Sequence, residues 1–202
     1  MELSASQLWM SQTREAAGDA AEIIARAISG DRTAFEEIVL RHERRVLTLA
    51  FRLLGTAEDA KDAAQEVFFR AFRYLRKFDS SKPLEPWLVR MTVNVCRRAG
   101  GKRSKSREMF IASDGLHPED PGKNPYALLR AEEQKRLLYE ALDDLPEKER
   151  AAIVLRDLEG LTTAEVAEIL GSAEATVRSQ ISVARLKMRK AIVRMKGGRD
   201  VL

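Results

Sequence analysis

Apolar residues in this chain recur at helical spacing. Phe35, Ile38, Val39, Val46, Leu49 and Leu53 are separated mostly by three, four or seven positions and form one apolar stripe. Asp31 stands where a helix N-cap is needed and Gly55 where a helix can end. Thr56-Ala57-Glu58-Asp59 then reads as a new helix start, a threonine followed three residues later by an acid. Ala60, Ala64, Val67, Phe68, Ala71, Phe72 and Leu75 lie on one side of that helix. A third helix is expected to begin after Pro86, carrying Trp87, Leu88, Met91 and Val95. No segment alternates as a strand does, and no fixed-period repeat appears. The fold class is therefore all-α.

Proline and glycine divide the chain. Gly100, Gly101, Gly115, Gly122, Pro118, Pro121 and Pro125 fall close together, a composition that cannot sustain a helix. The expected organisation is an N-terminal tail (1–19), a helical domain (20–103), a flexible linker (104–127), a second helical domain (128–196) and a short C-terminal tail (197–202). Each domain is small, with a limited core.

The second domain contains a helix-turn-helix pattern. Thr162 and Glu165 form a capping box, and Gly171 supplies the positive φ of the turn. A following helix over 172–195 buries Val177, Ile181, Ala184, Met188 and Ile192. Its other faces hold Arg178, Ser179, Gln180, Arg185, Lys187, Arg189, Lys190 and Arg194. An ordinary helical hairpin would show the same glycine stop. The basic second helix favours a helix placed in the DNA major groove, where arginine reads guanine and glutamine reads adenine.

Charge sharpens this picture. The 202 residues carry 35 Lys plus Arg and 31 Asp plus Glu, a net +4. Residues 1–107 are net +6, residues 108–175 net −9 and residues 176–202 net +7. Two basic ends around an acidic middle suggest two separate polyanion contacts. No apolar run approaches the ~20 residues of a membrane helix, so membrane insertion is not expected. The start lacks a basic flank with an apolar core, and the single cysteine, Cys96, fits a reducing compartment. A cytoplasmic protein is expected. His42 and His117 have no metal-type partners nearby and no phosphate loop is present, so no cofactor, metal or catalytic site is expected. His42 reads as a surface residue, Cys96 and Trp87 as core.

Specific motifs carry a resemblance. Ala60-Lys61-Asp62-Ala63-Ala64-Gln65-Glu66-Val67-Phe68-Phe69-Arg70-Ala71-Phe72 resembles the helix by which bacterial sigma factors dock on RNA polymerase. Phe78, a short polar loop and Pro86-Trp87-Leu88-Val89-Arg90-Met91-Thr92-Val93-Asn94 resemble their promoter-melting segment. Leu145-Pro146-Glu147-Lys148-Glu149-Arg150 through Thr176-Val177-Arg178-Ser179 is similar to their −35-reading domain. The three motifs stand in family order over about residues 20–195, in the manner of the small extracytoplasmic-function (ECF) type.

The resemblance implies a specificity subunit of RNA polymerase rather than an enzyme. Asp62, Gln65, Glu66 and Phe69 would face core RNA polymerase, with polar groups around an aromatic anchor. Phe78, the loop residues Ser80, Ser81 and Lys82, Asn94, Arg97 and Arg98 would capture and melt single-stranded −10 DNA. Holding a base out of the stack costs a few kcal/mol, which an aromatic wall and an amide offset. Thr176, Arg178, Ser179, Gln180, Ser182 and Arg185 would contact −35 duplex. An anti-sigma factor is the implied regulator. The chain departs from the family pattern at Lys61, where an acid is common, and at Gln180 and Val183, where arginine is common.

Overall fold

A computed structural model describes residues 19–99 and 125–197, with side chains from residue 130 onward in the second part. Among these residues every regular element is helical. Helix α1 covers 19–29 and buries Ile23 and Ile24. Helix α2 is Arg32–Leu54, α3 is Ala57–Tyr74 and α4 is Leu84–Ala99. The second half holds α5 (Pro125–Asp143), α6 (Glu147–Ile153), α7 (Thr163–Leu170) and α8 (Glu174–Gly197). Helix α5 starts inside the segment read as linker; the rest of 104–127, the tail 1–18 and residues 198–202 lie outside the described residues.

The helix ends follow from local chemistry. Asp31 Oδ1 accepts from the Thr33 and Ala34 amides at 2.9 and 3.2 Å, satisfying donors that the first turn of α2 leaves free. Gly55 closes α2 at φ 87°, its N–H bonding the Phe51 carbonyl. Thr56 Oγ1 accepts from the Asp59 amide and caps α3. The capping box of Thr162 and Glu165 is present, and Gly171 ends α7 at φ 62°.

Three expectations about the helices need correction. Helix α4 begins at Leu84, before Pro86. Proline is tolerated there because a first-turn N–H has no intrahelical partner to lose. The last helix runs from Glu174 to Gly197, about two residues later than its apolar pattern suggested. Phe72, placed on the apolar side of α3, is 52% exposed and meets only an edge of the core through an edge-to-face contact with Phe35 at 5.1 Å.

The first core gathers α1–α4 around residues such as Ile38, Val67, Leu75 and Leu88. The second gathers α5–α8 around Leu142, Leu145, Leu155, Val166 and Val177. The halves are not separate bodies. Leu49 of α2 and Val89 and Val93 of α4 are buried in the second core. Tyr139 of α5 packs edge-to-face on Phe51 of α2 at 5.1 Å. The seam between the halves also holds a cleft of about 120 Å³ lined by Leu53, Val93, Arg97, Glu147 and Arg150.

Candidate nucleic-acid and polymerase interface

Three surfaces carry the residues singled out in the sequence. On α3, Asp62, Gln65 and Phe69 are exposed and share a face at steps of three and four. Phe69 is 56% exposed, an unusual position for a phenylalanine unless it is covered by something else. The Arg73 guanidinium lies 5.7 Å from its ring centroid, a cation–π contact. Glu66 is less free, because its Oε1 accepts from Arg70 Nε at 2.5 Å. Lys61 is exposed beside this face. Phe72 extends the same stripe three residues beyond Phe69. Its spacing from Phe69 could have signalled this, but so could a core position, and apolarity alone does not separate the two.

The second surface is the turn before α4. Asp79 Oδ1 accepts from the Ser81 amide at 3.1 Å and from its hydroxyl at 2.6 Å. The Lys82 amide donates to the Asp79 carbonyl at 3.0 Å. These bonds shape the loop before any ligand arrives, and the Ser81 bonds hold the Asp79 carboxyl below its ordinary range. Ser80, Ser81 and Lys82 are all exposed. Phe78 is half-buried, its ring 5.1 Å from that of Trp87 with 48° between the planes, so Trp87 is core support beneath Phe78.

Helix α4 then presents Asn94 to solvent between buried Val93 and Val95. Among the described residues nothing binds the Asn94 carboxamide. Thr92 makes the contrast: wholly buried, its hydroxyl donates back to the Leu88 carbonyl at 2.8 Å. Arg98 is exposed. Arg97 Nη1 donates to the Leu170 carbonyl of α7 at 3.5 Å. Cys96 is buried, and burial pushes its thiol up to about 12, so it is inert at neutral pH. His42 differs from its expected surface place: it is half-buried, and desolvation lowers its pKa.

The third surface is α8. Thr176, Arg178, Ser179 and Ser182 are exposed; Arg178 makes only a loose 3.8 Å pair with Glu174. Gln180 and Arg185 do not join them freely. Gln180 is half-buried and its Oε1 is buried with no hydrogen-bond partner among the described residues. Arg185 is pinned by Asp157, Nε to Oδ2 at 2.8 Å and Nη2 to Oδ1 at 2.6 Å, a bidentate fork. Val183, where the family often carries arginine, is 40% exposed.

Sequence reasoning missed Glu159. It follows a wide π turn over Val154–Leu158, where its own N–H reaches back to the Val154 carbonyl at 3.0 Å. Its side chain, 5% exposed, accepts from Arg52 at 2.8 Å and Arg45 at 3.1 Å, both on α2. No local pattern announces a pairing over 107 residues. Among the described residues no helix is long and apolar enough to cross a membrane, and no group of His, Cys, Asp and Glu is arranged to hold a metal.

Two family models match this chain: Sigma-70 region 2 over residues 38–107 and Sigma-70 region 4 over residues 135–188. The ECF RNA polymerase sigma-E factor of Escherichia coli K12 is 33% identical over 171 residues, 81% of this chain and 88% of that protein. The RNA polymerase sigma-H factor of Pseudomonas aeruginosa is 29% identical over 178 residues, 85% of this chain and 92% of that protein. Among solved structures, CnrH in complex with the cytosolic domain of CnrY aligns with TM-score 0.57 at 27% identity, over 84% of this chain and 94% of that one. All-α halves bearing these two models define a transcription initiation factor, not an enzyme. The chain belongs to the sigma-70 family, in its ECF branch.

Proposed function

We propose that this chain recruits core RNA polymerase through α3 and reads a promoter at two places. The α3 face of Asp62, Gln65, Glu66 and Phe69 docks on polymerase, with Phe69 as anchor and Phe72 extending it. The preformed loop Ser80–Lys82, Phe78, Asn94, Arg97 and Arg98 take hold of an unpaired −10 strand. Thr176, Arg178, Ser179 and Ser182, the second helix of a helix-turn-helix, contact the −35 duplex; Gln180 supports that helix and Arg185 joins once Asp157 releases it. Residues 104–127 connect the two DNA-reading domains. An anti-sigma factor regulates the chain; the structurally similar CnrH is itself found in complex with a protein partner, the cytosolic domain of CnrY. The whole acts in the cytoplasm.

The observation that carries this reading is Asn94. An amide is an unfavourable residue in mid-helix, and here it is exposed and unpartnered between buried valines. It fits a base edge. The test is run-off transcription with purified core polymerase on a random promoter library. Starts that depend on this chain are expected; none on any template would sink the reading. Asn94→Ala is expected to reduce promoter opening while leaving polymerase binding intact. A plain duplex-binding regulator would instead bind its site tightly without polymerase and ignore single strands.

A further inference from the structure

Past its first turns α8 changes character. Its core side is Val177, Ile181, Ala184, Met188 and Ala191. Opposite that side, Ser179 begins a stripe that returns every seven residues at Leu186 and Val193. Leu186 is 54% exposed and Val193 63%, and Val183 beside them is open too, so these three aliphatic side chains contribute little to the fold. At 1.5 Å per residue, Val193 stands about 21 Å along the axis from Ser179, beyond the roughly 12 Å width of a major groove. The rear of α8 therefore projects past any duplex that its front occupies. Phosphates there have a use for cations but none for leucine and valine.

The spacing of this patch has a known use. Val183, Leu186, Lys190 and Val193 fall at i, i+3, i+7 and i+10, the a and d positions of two heptads. The flanking e and g positions are Lys187, Arg189, Arg194 and Lys196, and no acid follows Glu174 on this helix. Lys187 and Arg194 are neutralised from within the chain, by Glu149 at 2.8 Å and Asp144 at 3.0 Å. Arg189, Lys190 and Lys196 are exposed and meet no acid among the described residues. Such a seam rejects a second copy of itself, because cations would face cations. It is too narrow for a lipid surface, with three aliphatic groups and no aromatic. A helix with an apolar seam and acids at its own e and g positions matches it in both respects. Lys190, a charge at an a position, sets the register and calls for an acid opposite.

We propose that the rear of α8 is a docking seam for an acidic amphipathic helix of another protein, taken up as a short two-helix coil through Val183, Leu186, Lys190 and Val193. Core polymerase is not that protein, since α3 serves it in the reading above. The seam's place beside the upstream duplex rests on the −35 reading of α8; the seam itself does not. A partner that also holds the neighbouring DNA gains from both contacts at once, each raising the local concentration for the other.

The test uses the full chain and a defined probe: a fluorescein-labelled three-heptad peptide with leucine at a and d, and glutamate at e, g and the central a. A counterpart carries lysine at those polar positions. By anisotropy the glutamate peptide is expected to bind and the lysine peptide to bind at least about tenfold more weakly. Leu186→Gln/Val193→Gln is expected to weaken the glutamate peptide about tenfold. Leu40→Gln, at a still more exposed leucine on α2, is expected to weaken it not at all. Every replaced side chain is exposed, so the variants keep the parent's urea midpoint. No binding overturns the proposal, as does binding that ignores the peptide's charge or falls equally in Leu40→Gln. Self-association that Leu186→Gln/Val193→Gln abolishes overturns it in favour of a second copy, and loss of core-polymerase binding in that variant overturns it in favour of polymerase. A chain that grips the peptide but shifts no duplex upholds the seam and sinks the −35 reading instead.

Discussion

Arg150 of α6 donates through Nη1 to the Leu53 carbonyl of α2 at 3.0 Å and through Nη2 to the Leu145 carbonyl at 3.0 Å. One guanidinium therefore closes the carboxyl end of a helix in the other half and a turn in its own. The cation faces the negative end of α2, where it is electrostatically favoured. Arg150 is 3% exposed, and a methionine in its place fills the space but donates to neither carbonyl. Arg150→Met is expected to cost about 2–4 kcal/mol, chiefly through the loss of both charge-assisted hydrogen bonds. Urea unfolding of the two proteins measures it.

Gly55 is demanded twice over. Its φ of 87° disfavours any side chain, and an added Cβ would stand 2.8 Å from Asp143 Oδ1 across the seam. Gly160 has φ 73° but open space around it. Gly160→Ala is expected to cost about 1 kcal/mol from backbone strain alone, and Gly55→Ala more than that, by the cost of turning the Asp143 carboxylate aside. The double variant Gly55→Ala/Asp143→Ala should recover the excess, read as the coupling term of a double-mutant cycle.

His42 sets a pH dependence. Desolvation is the largest cause of its lowered pKa; Glu85 opposes it, and Arg45 and Arg41 add to it. The folded chain then binds a proton less readily than the unfolded one, whose histidine titrates near about 6.5. Between the two values the unfolded state carries more protons, so stability rises with pH. The urea midpoint is expected to fall as pH drops from about 7.5 to about 5.5, and His42→Gln to flatten that fall. The lowered carboxyls of Asp31, Asp79 and Glu165 also favour the folded chain as pH rises, but they titrate below this window.

Arg178 and Arg185 should behave differently on duplex DNA. Arg178 is exposed and only loosely paired with Glu174, so Arg178→Ala is expected to cost about 1–3 kcal/mol of upstream-element binding. Arg185 is engaged by Asp157, whose hydrogen bond is the main cause of its raised pKa. Asp157→Ala is expected to strengthen duplex binding and steepen its log–log salt slope by about one, the signature of one more phosphate contact. Gel shifts over a salt series distinguish the two.

Much of the fold was legible because it is written locally. Asp31, Gly55, Thr56, the Thr162–Glu165 box and Gly171 each act within four residues, and each does what its chemistry predicts. The family motifs pointed to the three surfaces proposed above as contacts. What could not be read was contact at long range. Phe72 has helical spacing suited to a core, yet lies on a rim, since spacing gives a side but not what covers it. Arg185 reads as a free cation until Asp157, 28 residues away, is brought beside it. Glu159 looked like one acid in an acidic stretch; only packing of α2 against the turn before α7 gives it two arginines.

Leu49, Val89 and Val93 belong by sequence to the front half and by burial to the rear one. Neither half can therefore drift alone. A chimera joining this front half to a relative's rear half inherits a mismatched joint, with three aliphatic side chains facing a surface shaped for others. Interchangeable parts, which the two-model composition invites, would need these three positions and their counterparts on α5–α8 transplanted together.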